Sequence, residues 1–247
     1  MSDTRLTKFA PHSSTAVTDA GLRTFMLSVF RQLTWGLIVS GAIAWTVGNT
    51  PEVSHLLLFF SGGHVAGYTA LGIIVLVSPL ILLLGSGFVM RTPTAAGAGL
   101  LYWAIVALIG ASLGTLFFAY TGGSLASTFF ITAAAVGGLS LWGHTTDRDL
   151  SGLGAFLRTG LIGLIITMVV NLLLRSPTLY FVTNAAGVLI FSGLIAWDTN
   201  RLKLIYSQIA GDSTSMAVAA NYGALSLFID FINLFQFLLV FTGQRRQ

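Results

Sequence analysis

The sequence contains no cysteine. That excludes disulfide bonds, thiol nucleophiles and cysteine metal sites, without fixing the compartment. Charge is almost as scarce: only 8% of the 247 residues are Asp, Glu, Lys or Arg, against roughly 25% in soluble domains. An ordinary soluble globular protein is therefore excluded. His55 and His64 lack metal-ligand spacing and His144 stands alone, so no histidine is assigned a role. Residues 1–25 lack the apolar stretch of a secretory signal, and the first spanning segment is expected to act as its own insertion signal.

Apolar side chains fill the space that charge leaves. The chain is 55% hydrophobic with a mean hydropathy of +0.86, the composition of an all-α integral membrane protein with several spans. The pI near 9.8 raises the question of nucleic acid, but a net charge of +4 is small. The basic residues also sit between apolar runs, where they orient the chain in a bilayer instead.

Residues 1–27 read as a flexible polar tail, 28–243 as a transmembrane domain and 244–247 as a short basic end. Runs near 29–48, 69–90, 97–118, 124–143, 153–174, 178–200 and 222–242 each approach the ~20 residues that cross a bilayer. They predict a bundle of seven transmembrane helices. Thr92-Pro93 and Ser176-Pro177 supply start signals for the third and sixth, and Thr50-Pro51 starts a short helix to Phe60 in the first loop. Gly110 and Gly114 at GxxxG spacing, and Gly137-Gly138, predict close helix approach. Nine Lys and Arg fall on the side of the N-terminus, and only Arg175, Arg245 and Arg246 on the other, which places the N-terminus in the cytoplasm. The Arg245-Arg246 pair opposes this count, and a re-entrant last segment is the alternative.

That last segment, Tyr222 to Phe241, carries Asp230 inside an apolar run. A carboxyl group in a membrane costs several kcal/mol unless it finds a partner, so it marks function. At ~100° per residue Tyr222, Ser226, Asp230 and Asn233 share one face, with Phe228, Phe231, Leu238 and Leu239 away from it. Asp198, closing the sixth run, is the natural partner, provided that its helix continues past Lys203 or that the helices tilt. Two carboxyls brought together in a poorly hydrated site cannot both ionise cheaply, and they titrate as a pair. Asp198 and Asp230 thus read as a pH sensor on an ion path, with Ser226 and Asn233 as polar support. Arg91, at the same end of the bundle, reads as a latch on one aspartate or as a simple topology anchor. Calcium takes six to eight oxygens, so this set fits a leak or low-affinity transit site, not storage. No other cofactor is implied.

The stretches Gly187 to Asn200 and Ala224 to Phe235 resemble the two signature segments of the transmembrane Bax inhibitor motif (Bax inhibitor-1) family. Thr145 to Ser151 and Met90-Arg91 also look like its bacterial inner-membrane members, and the resemblance covers about residues 25–243. It implies a seven-helix bundle with a central last helix, and a pH-sensitive calcium leak. The aspartates matching Asp198 and Asp230 would be the sensor and the arginine matching Arg91 its latch. Trp197 stands where that family often has Tyr, Asn200 where Gln is common, and the loop before the last helix is comparatively long. Anti-death activity does not carry over.

Two other functions compete. Intramembrane aspartyl proteases use an aspartate from each of two helices, but they resemble a Gly-x-Gly-Asp motif; here the bulky Leu227-Phe228-Ile229 precede Asp230, so no enzyme activity is expected. Some bacterial relatives look like modulators of a membrane-embedded AAA protease, and the N-terminal tail is the candidate handle for such a partner.

Overall fold

A computed structural model describes residues 12–62, 64–89, 93–146 and 148–246. The elements in order are α1 (His12–Asn49), α2 (Pro51–Leu57), β1 (Leu58–Ser61), β2 (His64–Tyr68), α3 (Ala70–Val89), α4 (Ala95–Leu113), α5 (Leu116–Ala119), α6 (Gly122–Thr145), α7 (Ser151–Leu174), α8 (Pro177–Ile209) and α9 (Ser213–Thr242). Among the described residues six helical stretches are long and apolar enough to span a membrane, α4 and α5 forming one of them; α3 supplies a shorter seventh. The result is the all-α membrane bundle that the apolar runs predict.

Helix α9 is its axis. Of its apolar window 61% is buried, against at most 39% in any other span. Phe228, Phe231 and Leu239, on the side opposite the polar stripe, are as buried as Asp230, so protein packs against both sides of the helix. Its main neighbours are α1, α4, α6 and α8, while α3 leans chiefly on α4 and α7 on α8. The lipid-facing sides of α3 and α7 show the expected exposed leucines and isoleucines, such as Ile81 and Leu173. Lipid tails are as apolar as leucine, so in a bilayer helices associate through close packing. Gly110 allows this by lying against the backbone of Ser40, and Gly114 by lying against Val47, which makes the GxxxG pair the α1–α4 contact. Gly137 and Gly138 face open space instead.

The chain's end settles whether α9 crosses. The backbone N–H of Thr121 donates to Gln244 at 3.0 Å, that of Arg246 donates to Ala119 at 3.0 Å, and the hydroxyls of Thr128 and Thr242 meet at 2.7 Å. The C-terminus is thus tied to the start of α6, whereas the other end of α6 lies beside Lys203 of α8. Helix α9 therefore runs the length of α6, and the re-entrant alternative is excluded.

Three boundaries differ from expectation. Helix α1 begins at His12, so residues 12–27 are helical, not a loose tail; no proline or glycine lies between His12 and Ala20 to stop the helix that the apolar part nucleates. Residues 1–11 lie outside the described residues. The short loop helix stops at Leu57, because Leu58 to Ser61 turn at Gly62 (φ 60°) and pair antiparallel with His64 to Tyr68. Helix α4 is capped by Thr94, whose hydroxyl accepts from the Gly97 N–H at 3.1 Å, two residues after the predicted Thr92. Ser176 caps α8 as predicted, accepting from Leu179 at 3.3 Å.

Asp212 caps α9 from the turn before it. The Ser215 hydroxyl and the backbone N–H groups of Ser215 and Thr214 hold its carboxylate below the ordinary range. A folded-state pKa that is depressed contributes stability above the unfolded value of about 3.9 and loses it as pH falls through the folded value. Hydrogen exchange at Thr214 and Ser215 is accordingly expected to accelerate only in that acidic window. Asp212→Asn, which still caps, is expected to remove the dependence.

Candidate functional site: a buried carboxyl pair

Helix α8 continues eleven residues past Asp198 to Ile209, which meets the condition for Asp198 to reach Asp230. The two carboxyl groups lie close enough to interact directly. Each residue is nearly sealed, at 7% and 6% exposure. Two carboxyls this close in a sealed site cannot both ionise cheaply, and the pair bridges α8 and α9. The Ser226 hydroxyl donates to Asp198 Oδ2. Asp230 Oδ2 is buried without a hydrogen-bond partner among the described residues.

The pair has an outer and an inner member. A cavity of about 390 Å³ between α3, α8 and α9 is lined by Asp198, Ser226, Arg201, Tyr222 and Leu83; Asp230 lies behind them. Asn233, expected on the same face, donates to the Ile229 carbonyl of its own helix at 2.8 Å and does not join the pair. Arg91 lies outside the described residues. Among the described residues no group of three or more metal-ligating side chains occurs.

Around the pair, α8 presents three different faces, two of which sequence reasoning missed. Toward α6, Thr199 donates to Ser140 at 3.3 Å, Asn200 to the Gly143 carbonyl at 3.2 Å, and Lys203 to the carbonyls of His144 and Thr146 at 3.2 and 3.0 Å. Lys203 thereby caps the C-terminus of α6, where a cation is favoured. Toward α7, two guanidinium groups lie over the Trp197 ring, Arg158 at 5.0 Å and Arg201 at 5.3 Å, in cation–π range. Gly154 lets the indole lie flush, since a Cβ there would overlap it. Both arginines act on Asp198 through space, not by contact. The i, i+4 spacing of Trp197 and Arg201 was the available signal for this stack.

A multi-span bundle whose central helix carries a buried carboxyl close to another from its neighbour defines a class of polytopic membrane protein with two carboxyls in its core. Comparison with known proteins narrows the class: residues 22–247 match the family described as "Inhibitor of apoptosis-promoting Bax1". The chain is 56% identical over 229 residues to an uncharacterized Caulobacter vibrioides protein, covering 93% of this chain and 92% of that one. It is 40% identical to the Rickettsia prowazekii protein RP147, covering 92% of each. With the Escherichia coli inner membrane protein YbhL it shares 36% identity, covering 97% and 99%. The chain belongs to the Bax inhibitor-1 family.

Proposed function

We propose that this protein is a calcium-permeable leak of the bacterial inner membrane whose conduction responds to pH through Asp198 and Asp230. The observation that carries the reading is the contact between two sealed carboxyls beside a cavity in the bundle. Removing the shared proton places two negative charges together. At 4 Å and an effective dielectric of 20 their repulsion is about 4 kcal/mol, enough to bias α8 and α9 apart or to draw in a cation. A proton, a guanidinium and a permeating calcium ion therefore compete for the same oxygens. Arg91 is the proposed guanidinium, as a latch that holds one ionised aspartate. The bias of Lys and Arg supports a cytoplasmic N-terminus, and the name of the Escherichia coli relative supports the inner membrane.

Calcium flux into proteoliposomes, measured across pH, tests this directly. Wild type is expected to conduct with a pH midpoint that shifts or vanishes in Asp198→Asn and that moves in Arg91→Ala. Flux no greater than in empty liposomes for every variant would end the leak reading.

A second reading, modulation of a membrane-embedded AAA protease through the N-terminal segment, draws support from α1. That helix starts eight residues ahead of its apolar stretch at Ala20, so it offers a partner a handle beyond the span. Deleting residues 1–20 is expected to spare a leak and to abolish a tail-mediated effect.

A further inference from the structure

Helices α1 and α6 both pack on α9, yet among the described residues they make no substantial contact with each other. Toward the C-terminal end of the chain the gap between them is a slot of about 450 Å³, backed by α9 and by the α4–α5 stretch. Gly41 on one lip and Gly122 and Ala126 on the other are exposed, and the space beside Gly41 and Gly122 is open. The slot therefore opens sideways between two membrane-spanning helices, where lipid surrounds the bundle.

Depth orders its lining. Asn49 ends α1, and Arg246 is held beside the start of α6, its backbone N–H donating to Ala119 at 3.0 Å. These two residues form the rim, and Arg246 carries the only charge among the described lining residues. Trp45, 60% exposed, stands one turn below Asn49, at the level where tryptophans concentrate. From the rim the lining helices all run into the bundle. At 1.5 Å per residue, Leu37 lies about 18 Å from Asn49, Ile232 about 15 Å from the end of α9 at Thr242, and Phe129 about 10 Å from Gly122. The side chains on the way, such as Leu125 and Phe235, are apolar, and the Ser40 hydroxyl donates to the Leu37 carbonyl at 3.2 Å. Water below the rim finds little to hydrogen-bond. One leaflet of a ~30 Å hydrocarbon core is about 15 Å deep, which is the depth of the slot. A cation at headgroup level above an apolar slot one leaflet deep matches the two ends of one molecule, a lipid with an anionic head.

We infer that the slot between α1 and α6 binds one anionic membrane phospholipid, its phosphate on Arg246 at the rim and one acyl chain running past Leu125 and Phe235 to Leu37. Seated there, the chain completes the packing of α9, the helix that carries Asp230. The Arg246 side chain is exposed, so changing it leaves the packing of the bundle intact.

The test is native mass spectrometry of the full-length protein, stripped of lipid in neutral detergent and offered an equal mixture of phosphatidylglycerol and phosphatidylcholine with the same acyl chains. Wild type is expected to retain one lipid, with phosphatidylglycerol favoured about fivefold. Arg246→Gln should bring the ratio to about one, and Arg246→Lys should keep the preference. Gly41→Leu fills the slot from an open position and should remove the bound lipid, as should Ala126→Leu from the opposite lip, with each variant a single wild-type-like peak in gel filtration. Equal retention of the two lipids by wild type, a preference that survives Arg246→Gln, or a bound lipid that survives both slot-filling variants overturns the proposal. Displacement of the lipid by inorganic phosphate would make the site one for free anions, and a wild-type dimer that Gly41→Leu converts to monomer would make the occupant a second copy of the chain; either result also overturns it.

Discussion

Asp230→Asn is expected to leave the bundle folded and to flatten the pH response of calcium flux. On the proposed reading Asp198 and Asp230 share one proton, so a neutral amide of the same shape replaces a group that can itself be neutral. An amide N–H can still donate to Asp198, and no charge is stranded in the core. What disappears is the second titrating partner. A one-proton switch changes occupancy by up to about tenfold per pH unit, and wild-type flux should follow that slope, whereas the variant should vary by less than about twofold over the same range. Circular dichroism and gel filtration of the variant separate lost sensing from lost folding. A variant that keeps both its fold and the wild-type pH profile would remove Asp230 from the mechanism.

The largest stability effect is expected at Gly143. A Cβ there would collide with the carbonyl and Cα of Ala196, backbone atoms that cannot swing aside. Gly143→Ala must therefore move α6 away from α8, and with it the bonds from Asn200 to Gly143 and from Lys203 to His144 and Thr146. Overpacking of this kind costs about 1–3 kcal/mol, and the strained hydrogen bonds add to it. Gly138 lies on the same helix with nothing near its missing Cβ. There Gly→Ala is expected to stabilise by up to about 1 kcal/mol through helix propensity alone. Thermal unfolding in detergent should move in opposite directions for the two variants. Equal shifts would mean that α6 and α8 are not locked at Gly143.

What the sequence revealed, and what it hid, follows from how far each signal reaches along the chain. Spanning helices announce themselves because about 20 apolar residues in a row have few other uses. Asp230 stood out for the converse reason, as a carboxyl group within such a run. The strands at Leu58 to Tyr68 were missed because an aromatic run such as Leu58-Phe59-Phe60 has no period to separate strand from helix, and the turn at Gly62 was the deciding cue. Asn233 was placed with the pair by its helical angle alone. Yet an Asn in a helix can satisfy itself on the preceding turn, and this one does so on Ile229. The polar residues after Trp197 looked like the end of a span, although α8 runs on through Lys203 and turns each of them toward a different neighbour. Pairings of that sort, such as Thr199 with Ser140, join residues far apart in sequence, and no local pattern encodes them.

The central claim is that Asp198 and Asp230 share a proton that comes and goes in the physiological range. Infrared difference spectroscopy of the protein in lipid bilayers, stepped from about pH 5 to 8, observes that proton through the C=O stretch of a protonated carboxyl. The account predicts one such band that titrates in wild type and whose titration is lost in both Asp198→Asn and Asp230→Asn. A spectrum with no carboxyl band changing over that range, or one unaltered by either substitution, would contradict it.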